Sequence, residues 1–130
     1  MSQKFRQYQI SSGKIVLLGK SAETNEELIS QAQKNEFLLH TKAPGSPFAN
    51  IKSPQSEVTK KDLEEAAVMC AKHSQDWRDN KKDISVHYFL ANDVSKSKDM
   101  KTGTFAVGKC KNILVKKEKI FEFEKNIATS

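Results

Sequence analysis

The sequence predicts an α+β domain: a mostly antiparallel or mixed β-sheet of about six or seven strands, with two main helices at about residues 24–33 and 59–74. Three observations predict it. Short apolar runs bounded by turn residues outnumber helical stretches, and two stretches with N-cap chemistry are inserted among those runs. A chain of 130 residues also fits one domain, spanning 1–130, large enough to bury a core without disulfides or a metal.

The elements follow in order. Phe5-Arg6-Gln7-Tyr8-Gln9-Ile10 alternates apolar and polar residues with the two-residue period of a half-buried strand. Ser11-Ser12-Gly13-Lys14 supplies a turn, and Ile15-Val16-Leu17-Leu18 completes an opening hairpin. Thr24 and Glu27 have capping-box spacing, so a helix is expected from there, with Leu28, Ile29 and Ala32 on its apolar side. Glu36 to His40 reads as a third strand, and Phe48 to Ile51 as a fourth after the Pro44-Gly45-Ser46-Pro47 turn. Thr59 with Asp62 starts the second helix, whose Ala66-to-Ala71 stretch is apolar nearly all round and so buried on more than one side. Trp77 is expected in the core or a lid. Asp83 to Phe89 is a fifth strand, and short strands close the chain near Thr104–Val107, Asn112–Lys116 and Ile120–Phe123.

Composition limits the function classes. No apolar run approaches the ~20 residues of a membrane span, and the opening MSQKFRQYQI lacks the apolar stretch of an export signal. A cytoplasmic setting is expected, with Cys70 and Cys110 as free thiols. There are 22 Lys and Arg against 16 Asp and Glu, a net charge of +6. The excess is uneven: residues 96–130 carry nine lysines against four acids. If those lysines share a face they create a one-sided field suited to polyanions; a dispersed, solubilising surface is the other reading. Only two cations are arginine, so lysine contacts to a phosphate backbone are expected over bidentate readout of bases.

Catalytic motifs are absent. No Gly-rich phosphate loop, Gly-x-Ser-x-Gly elbow or His-Glu-x-x-His helix occurs, and no cofactor or metal is expected. Cys70 and His73 lie one helical turn apart without a second ligand pair. His73 reads as a residue of a helix C-terminus, where the dipole favours a cation. His40 ends an apolar strand just before the rigid turn. There Gly45 permits a positive φ, and Ser46 offers a hydroxyl and an N–H to an anion; a local turn with a hydrogen-bonded histidine is the plain alternative.

Several segments, taken together and in order, resemble the NFACT-R domain of the NFACT ribosome quality-control proteins. They are Gly19-Lys20-Ser21-Ala22-Glu23-Thr24-Asn25-Glu26-Glu27-Leu28, Glu36 to His40, Pro44 to Phe48, Glu65-Ala66-Ala67, Val86-His87-Tyr88, Val94 to Lys96, and Met100-Lys101-Thr102-Gly103. The resemblance covers roughly residues 3–117. Family members commonly carry Asp-Leu-Trp-Phe-His where this chain has Glu36-Phe37-Leu38-Leu39-His40, and a histidine where it has Pro47. His40, Pro44, Gly45 and Ser46 match, whereas a role resting on the second histidine does not transfer. In 130 residues there is no room for the other NFACT parts, so a stand-alone, archaeal-type version is expected.

What the resemblance implies is a non-enzymatic RNA-binding module with tRNA, rRNA and the large ribosomal subunit as partners, and with a separate protein supplying the missing parts. Lys96, Lys98, Lys101, Lys109, Lys111, Lys116 and Lys117 are the expected electrostatic surface. Lys20, Asn25, His40, Lys42, Pro44, Gly45 and Ser46 are the expected shaped contact, a phosphate or ribose pocket. Tyr88, Phe89 and Phe105 could stack a splayed base or simply fill a core. Two alternatives stand beside this: a protein-interaction adaptor using Phe48 and strand edges, and an RNA- or nucleotide-acting enzyme using His40 with Ser46.

Overall fold

The computed structural model describes residues 4–96, 100, 102 and 105–129. Strands β1 (Arg6–Gln9) and β2 (Ile15–Leu18) form the opening hairpin. Helix α1 (Ala22–Gln31) leads to β3 (Glu36–Thr41) and β4 (Ala49–Pro54). Helices α2 (Lys60–Lys72) and α3 (Gln75–Asn80) precede β5 (Ile84–Leu90). Short strands β6 (Val94–Ser95) and β7 (Ala106–Val107), then β8 (Lys111–Val115) and helix α4 (Lys117–Thr129), complete the order. Six strands form one sheet in the order β1-β2-β4-β3-β5-β8 with every neighbour antiparallel, and β6 pairs with β7 apart from it. The α+β class holds, with α3 and α4 added to the two main helices.

The two sheet faces carry different cores. On one, Val16, Leu18, Leu39, Ile51 and Val86 are buried against Ala66, Ala67, Cys70 and Ala71 of α2. The small side chains let the α2 backbone lie close to the strands, so truncating a facing residue such as Leu39 to alanine leaves a void costing about 2–5 kcal/mol. Trp77 of α3 is wholly buried in the same core, its Nε1–H donating to Glu124 Oε2 of α4 at 3.0 Å. On the opposite face Leu38, Phe48 and Phe89 meet Leu28 of α1, with Val94, Phe105 and Val107 packed at the margin.

Three local expectations are corrected. The first helix is capped by Ser21, not Thr24: Ser21 Oγ accepts the Thr24 N–H at 3.2 Å, and Thr24 occupies N3 with its hydroxyl returned to the Ser21 N–H. The segment Ile120–Phe123 is not a strand but part of α4, because Ile120 is buried against the α2 core while Phe123 packs at its edge one turn on. The fourth strand runs past the expected end at Ile51 to Pro54, which pairs with Glu36 of β3, and Lys52 Nζ lies 2.8 Å from the Glu36 carboxylate. Thr59 caps α2 with Asp62 at N3 as its spacing predicts.

Candidate nucleic-acid interface

The site is built at one end of the main sheet. The registers Leu18↔Ala49, Leu39↔Ala49 and His40↔His87 set Gly19, Phe48, His40 and His87 in a row across four strands or their ends. The Gly19 N–H donates to the Phe48 carbonyl at 3.1 Å. Gly19 is required by close approach: a Cβ there would lie 2.0 Å from Asn25 Oδ1. That oxygen accepts the Phe48 N–H at 3.0 Å, so Asn25 fixes the turn to α1.

The Pro44–Pro47 turn is clamped from its other side. Gly45 takes φ 89°, the left-handed region, and its carbonyl accepts the Gln75 N–H at 2.9 Å. Ser46 is buried; its Oγ accepts the Thr41 N–H at 3.2 Å and donates to the Pro47 carbonyl at 3.3 Å. The Cys70 thiol donates to that same carbonyl at 3.4 Å, and burial pushes the thiol pKa up to about 12. Ser46 therefore holds the turn rather than presenting its hydroxyl to an anion, which corrects the expectation for it.

Around this rigid end runs a cleft of about 580 Å³. Both arginines of the chain, Arg6 and Arg78, line it, as do Lys20 and all three histidines, His40, His73 and His87. No carboxylate lines it among the described residues. The His40 ring lies 4.3 Å from that of Phe48, and burial lowers its pKa against opposing hydrogen bonds with the Thr41 and Ser46 backbone, with His87 lowering it further. His73, the C-cap of α2, has Nε2 2.8 Å from Tyr8 Oη. Desolvation, then repulsion from Arg6, Lys72 and Arg78, brings its pKa to about 4. It is thus neutral at pH 7, not the cation its place at a helix end suggests. On the β6–β7 side Phe105 forms an apolar wall, its ring 5.7 Å from Phe48 with Lys96 Nζ 4.7 Å from its centroid.

Of the residues singled out from sequence, Lys20, Asn25, His40, Pro44, Gly45 and Ser46 come together in this cleft. Lys42 does not: it lines a separate depression with Asp76, Lys82 and Asp83. Lys96 pairs with Glu26. Lys98 and Lys101 lie outside the described residues. Lys111 lies on the edge strand opposite Tyr88, Lys116 is 3.5 Å from Asp83, and Lys109 and Lys117 are exposed. None of these last four lines the cleft. Tyr88 packs edge-on against Phe37 on the other face, whereas Phe89 and Phe105 line the cleft.

Arg6, His73, Arg78 and His87 also line the cleft, although sequence reasoning did not place them in a site. Their signal was present for the arginines, whose rarity marks each position, but convergence from β1 and α3 required the fold. Among the described residues no group of three or more His, Cys, Asp or Glu is placed to hold a metal ion, and no helix is long and apolar enough to cross a membrane.

Comparison with known proteins agrees with the architecture. The solved C-terminal part of the fibronectin/fibrinogen-binding protein from Streptococcus suis superposes with a TM-score of 0.80 at 24% identity, over 94% of this chain and 49% of that one. This chain thus spans about half the length of that structure, and the likeness is one of fold. A search of curated proteins gives no match. The family described as the NFACT protein RNA binding domain matches residues 4–109. That match takes in β1 to β7 and every residue of the cleft except Cys110, and the chain belongs to the NFACT RNA-binding domain family.

Proposed function

We propose that this domain is a non-enzymatic RNA-binding module of the cytoplasm that engages tRNA or the RNA of the large ribosomal subunit, in ribosome-associated quality control or rescue of stalled translation. Family membership supports RNA as the partner. The observation that carries the reading is the cleft itself. Arginine, lysine and histidine line it without a single carboxylate among the described residues, in a chain that holds 16 acids. Such segregation of charge favours a polyanion, and the clamped turn gives the cleft a fixed floor. Exposed lysines outside the cleft, such as Lys109 and Lys111, add phosphate contacts that position the RNA without reading its sequence.

The adaptor reading loses its main contact, since Phe48 is only 5% exposed and sits beneath His40. The enzymatic reading loses Ser46, whose hydroxyl is committed to Thr41 and Pro47. A protein supplying the other NFACT parts remains part of the proposal, as a partner rather than as the function.

The test is fluorescence anisotropy with labelled tRNA and with rRNA fragments across a salt series. Affinity should fall steeply and linearly on logarithmic axes, with a slope of several counterions released. Affinity independent of salt, or no RNA bound at low salt, would overturn the proposal.

A further inference from the structure

The cleft is asymmetric. Phe105, Phe89 and Val107 line it on the side of β6–β7, while Arg6 and Arg78 enter from β1 and α3. His40 and His87, opposite one another on β3 and β5, lie between as polar groups. Phe105 is half-buried, held edge-on by Phe48, and so presents a fixed aromatic surface instead of a mobile one.

Paired RNA makes little use of such a wall. In an A-form duplex the bases are stacked on one another, and a protein meets phosphates and 2′-hydroxyls across a shallow groove. A concave site with an aromatic side and a cationic side fits a base that has left its stack, together with the phosphate attached to it. A volume of about 580 Å³ falls within the range of small-molecule sites, enough for a nucleotide but not for a helix.

Resting on the RNA-binding reading above, we infer that the cleft seats one unpaired nucleotide of the RNA, its base against Phe105 and its phosphate toward Arg6, Lys20 and Arg78. Stacking accepts any base, so the site selects single-stranded ends, bulges or loops with little sequence preference. His40 and His87 are placed to meet the base edge or ribose.

Anisotropy with a blunt RNA hairpin whose two strands are joined by a polyethylene-glycol linker in place of loop nucleotides, and with the same hairpin carrying a short single-stranded 3′ extension, tests this on the full chain. The extension should tighten binding by about tenfold, the scale of one stacked base. Phe105→Ala should remove most of that gain, weakening the extended hairpin several-fold more than the blunt one. Phe105→Leu, which keeps apolar packing against Phe48 but has no aromatic face, should behave as Phe105→Ala does. Equal affinity for the two hairpins, a Phe105→Leu variant that keeps the full gain, or equal weakening of both RNAs would overturn the inference while leaving RNA binding intact. If neither hairpin binds the wild-type chain, the RNA-binding reading fails and this one with it.

Discussion

Replacing Gly19 by alanine tests how the cleft is held together. The new Cβ would lie 2.0 Å from Asn25 Oδ1, 3.0 Å from its Cγ and 3.2 Å from its Cα. Turning the carboxamide aside relieves the first two contacts but not the third, which is backbone of α1. It also strips the buried Phe48 N–H of its acceptor, at a cost of about 1–3 kcal/mol. Shifting the helix instead forces overpacking of a similar size, about 1–3 kcal/mol. Since each movement partly spares the other, a net loss of about 2–4 kcal/mol is expected, which for a domain of this length lowers the melting temperature by roughly 10 °C. RNA affinity at a temperature where the variant is folded should also fall, because Phe48 carries the His40 ring. Differential scanning calorimetry reads the first effect and anisotropy the second. Gly108→Ala is the control: its nearest neighbour would be the Asp93 carbonyl at 3.6 Å, an ordinary contact. A Gly19→Ala protein that melts with wild type, or no earlier than Gly108→Ala, would refute the reasoning.

Other measurements bear on the same site. The His73 pKa falls from 6.5 unfolded to about 4 folded, so the unfolded chain takes up a proton first as pH drops. The stability this neutral ring contributes is full above pH 6.5 and is lost between there and pH 4; allowing for the solvent that reaches it, about 1 kcal/mol should go by about pH 5.5. Urea unfolding at two pH values should show that loss in wild type and a smaller one in His73→Gln; equal losses of stability in the two proteins would contradict it. Phosphate beside His40 and His73 favours their protonated forms, so RNA affinity should rise by about threefold as pH falls from about 7.5 to about 5.5. A flat profile would show that no phosphate comes near them. Stopped-flow binding should separate the two sets of cations. Lys111→Glu should slow association, with most of its effect lost at high salt, whereas Arg78→Gln should speed dissociation by about tenfold. The reverse pattern would place the contact on the edge strand.

Much of the fold could be read from local chemistry. Ile15 to Leu18 and Ile84 to Phe89 form strands because their apolar residues have no helical spacing, and Thr59 with Asp62 starts a helix wherever it is placed. The failures have a common cause. Within Ile120–Phe123 the residues Phe121-Glu122-Phe123 alternate as a strand would, and the contact of Ile120 with the α2 core makes the segment a helix. Thr24 with Glu27 and Ser21 with Thr24 are both plausible boxes; choosing between them depends on where β2 delivers the chain. The Pro44–Pro47 turn and His40 were visible as an unusual strand end. That Ser46 points inward was not, since its partners Thr41 and Pro47 are neighbours whose orientation the turn alone decides.

The distribution of cations was the hardest part to read, and it changes what the charge is for. A count along the chain places the excess in the last third, where the fold sets Lys111 on the edge strand β8 and Lys117 and Lys119 at the start of α4. Two of the lysines in this third have carboxylate partners: Lys96 pairs with Glu26, and Asp83 is 3.5 Å from Lys116 Nζ and also accepts the Lys117 backbone N–H at 2.9 Å. Such surface charge acts over roughly a Debye length of 8–10 Å and is screened beyond it, which suits capture of RNA more than its placement. Placement needs donors whose geometry survives binding. The two arginines meet that need because planar guanidinium groups hold phosphate bidentately, and Arg78 is itself oriented by the His73 carbonyl at 3.1 Å and by Gln75 Oε1 at 2.9 Å. On the proposed reading, net charge therefore points to the class of partner, while the position of two residues among 22 cations points to where it would be held.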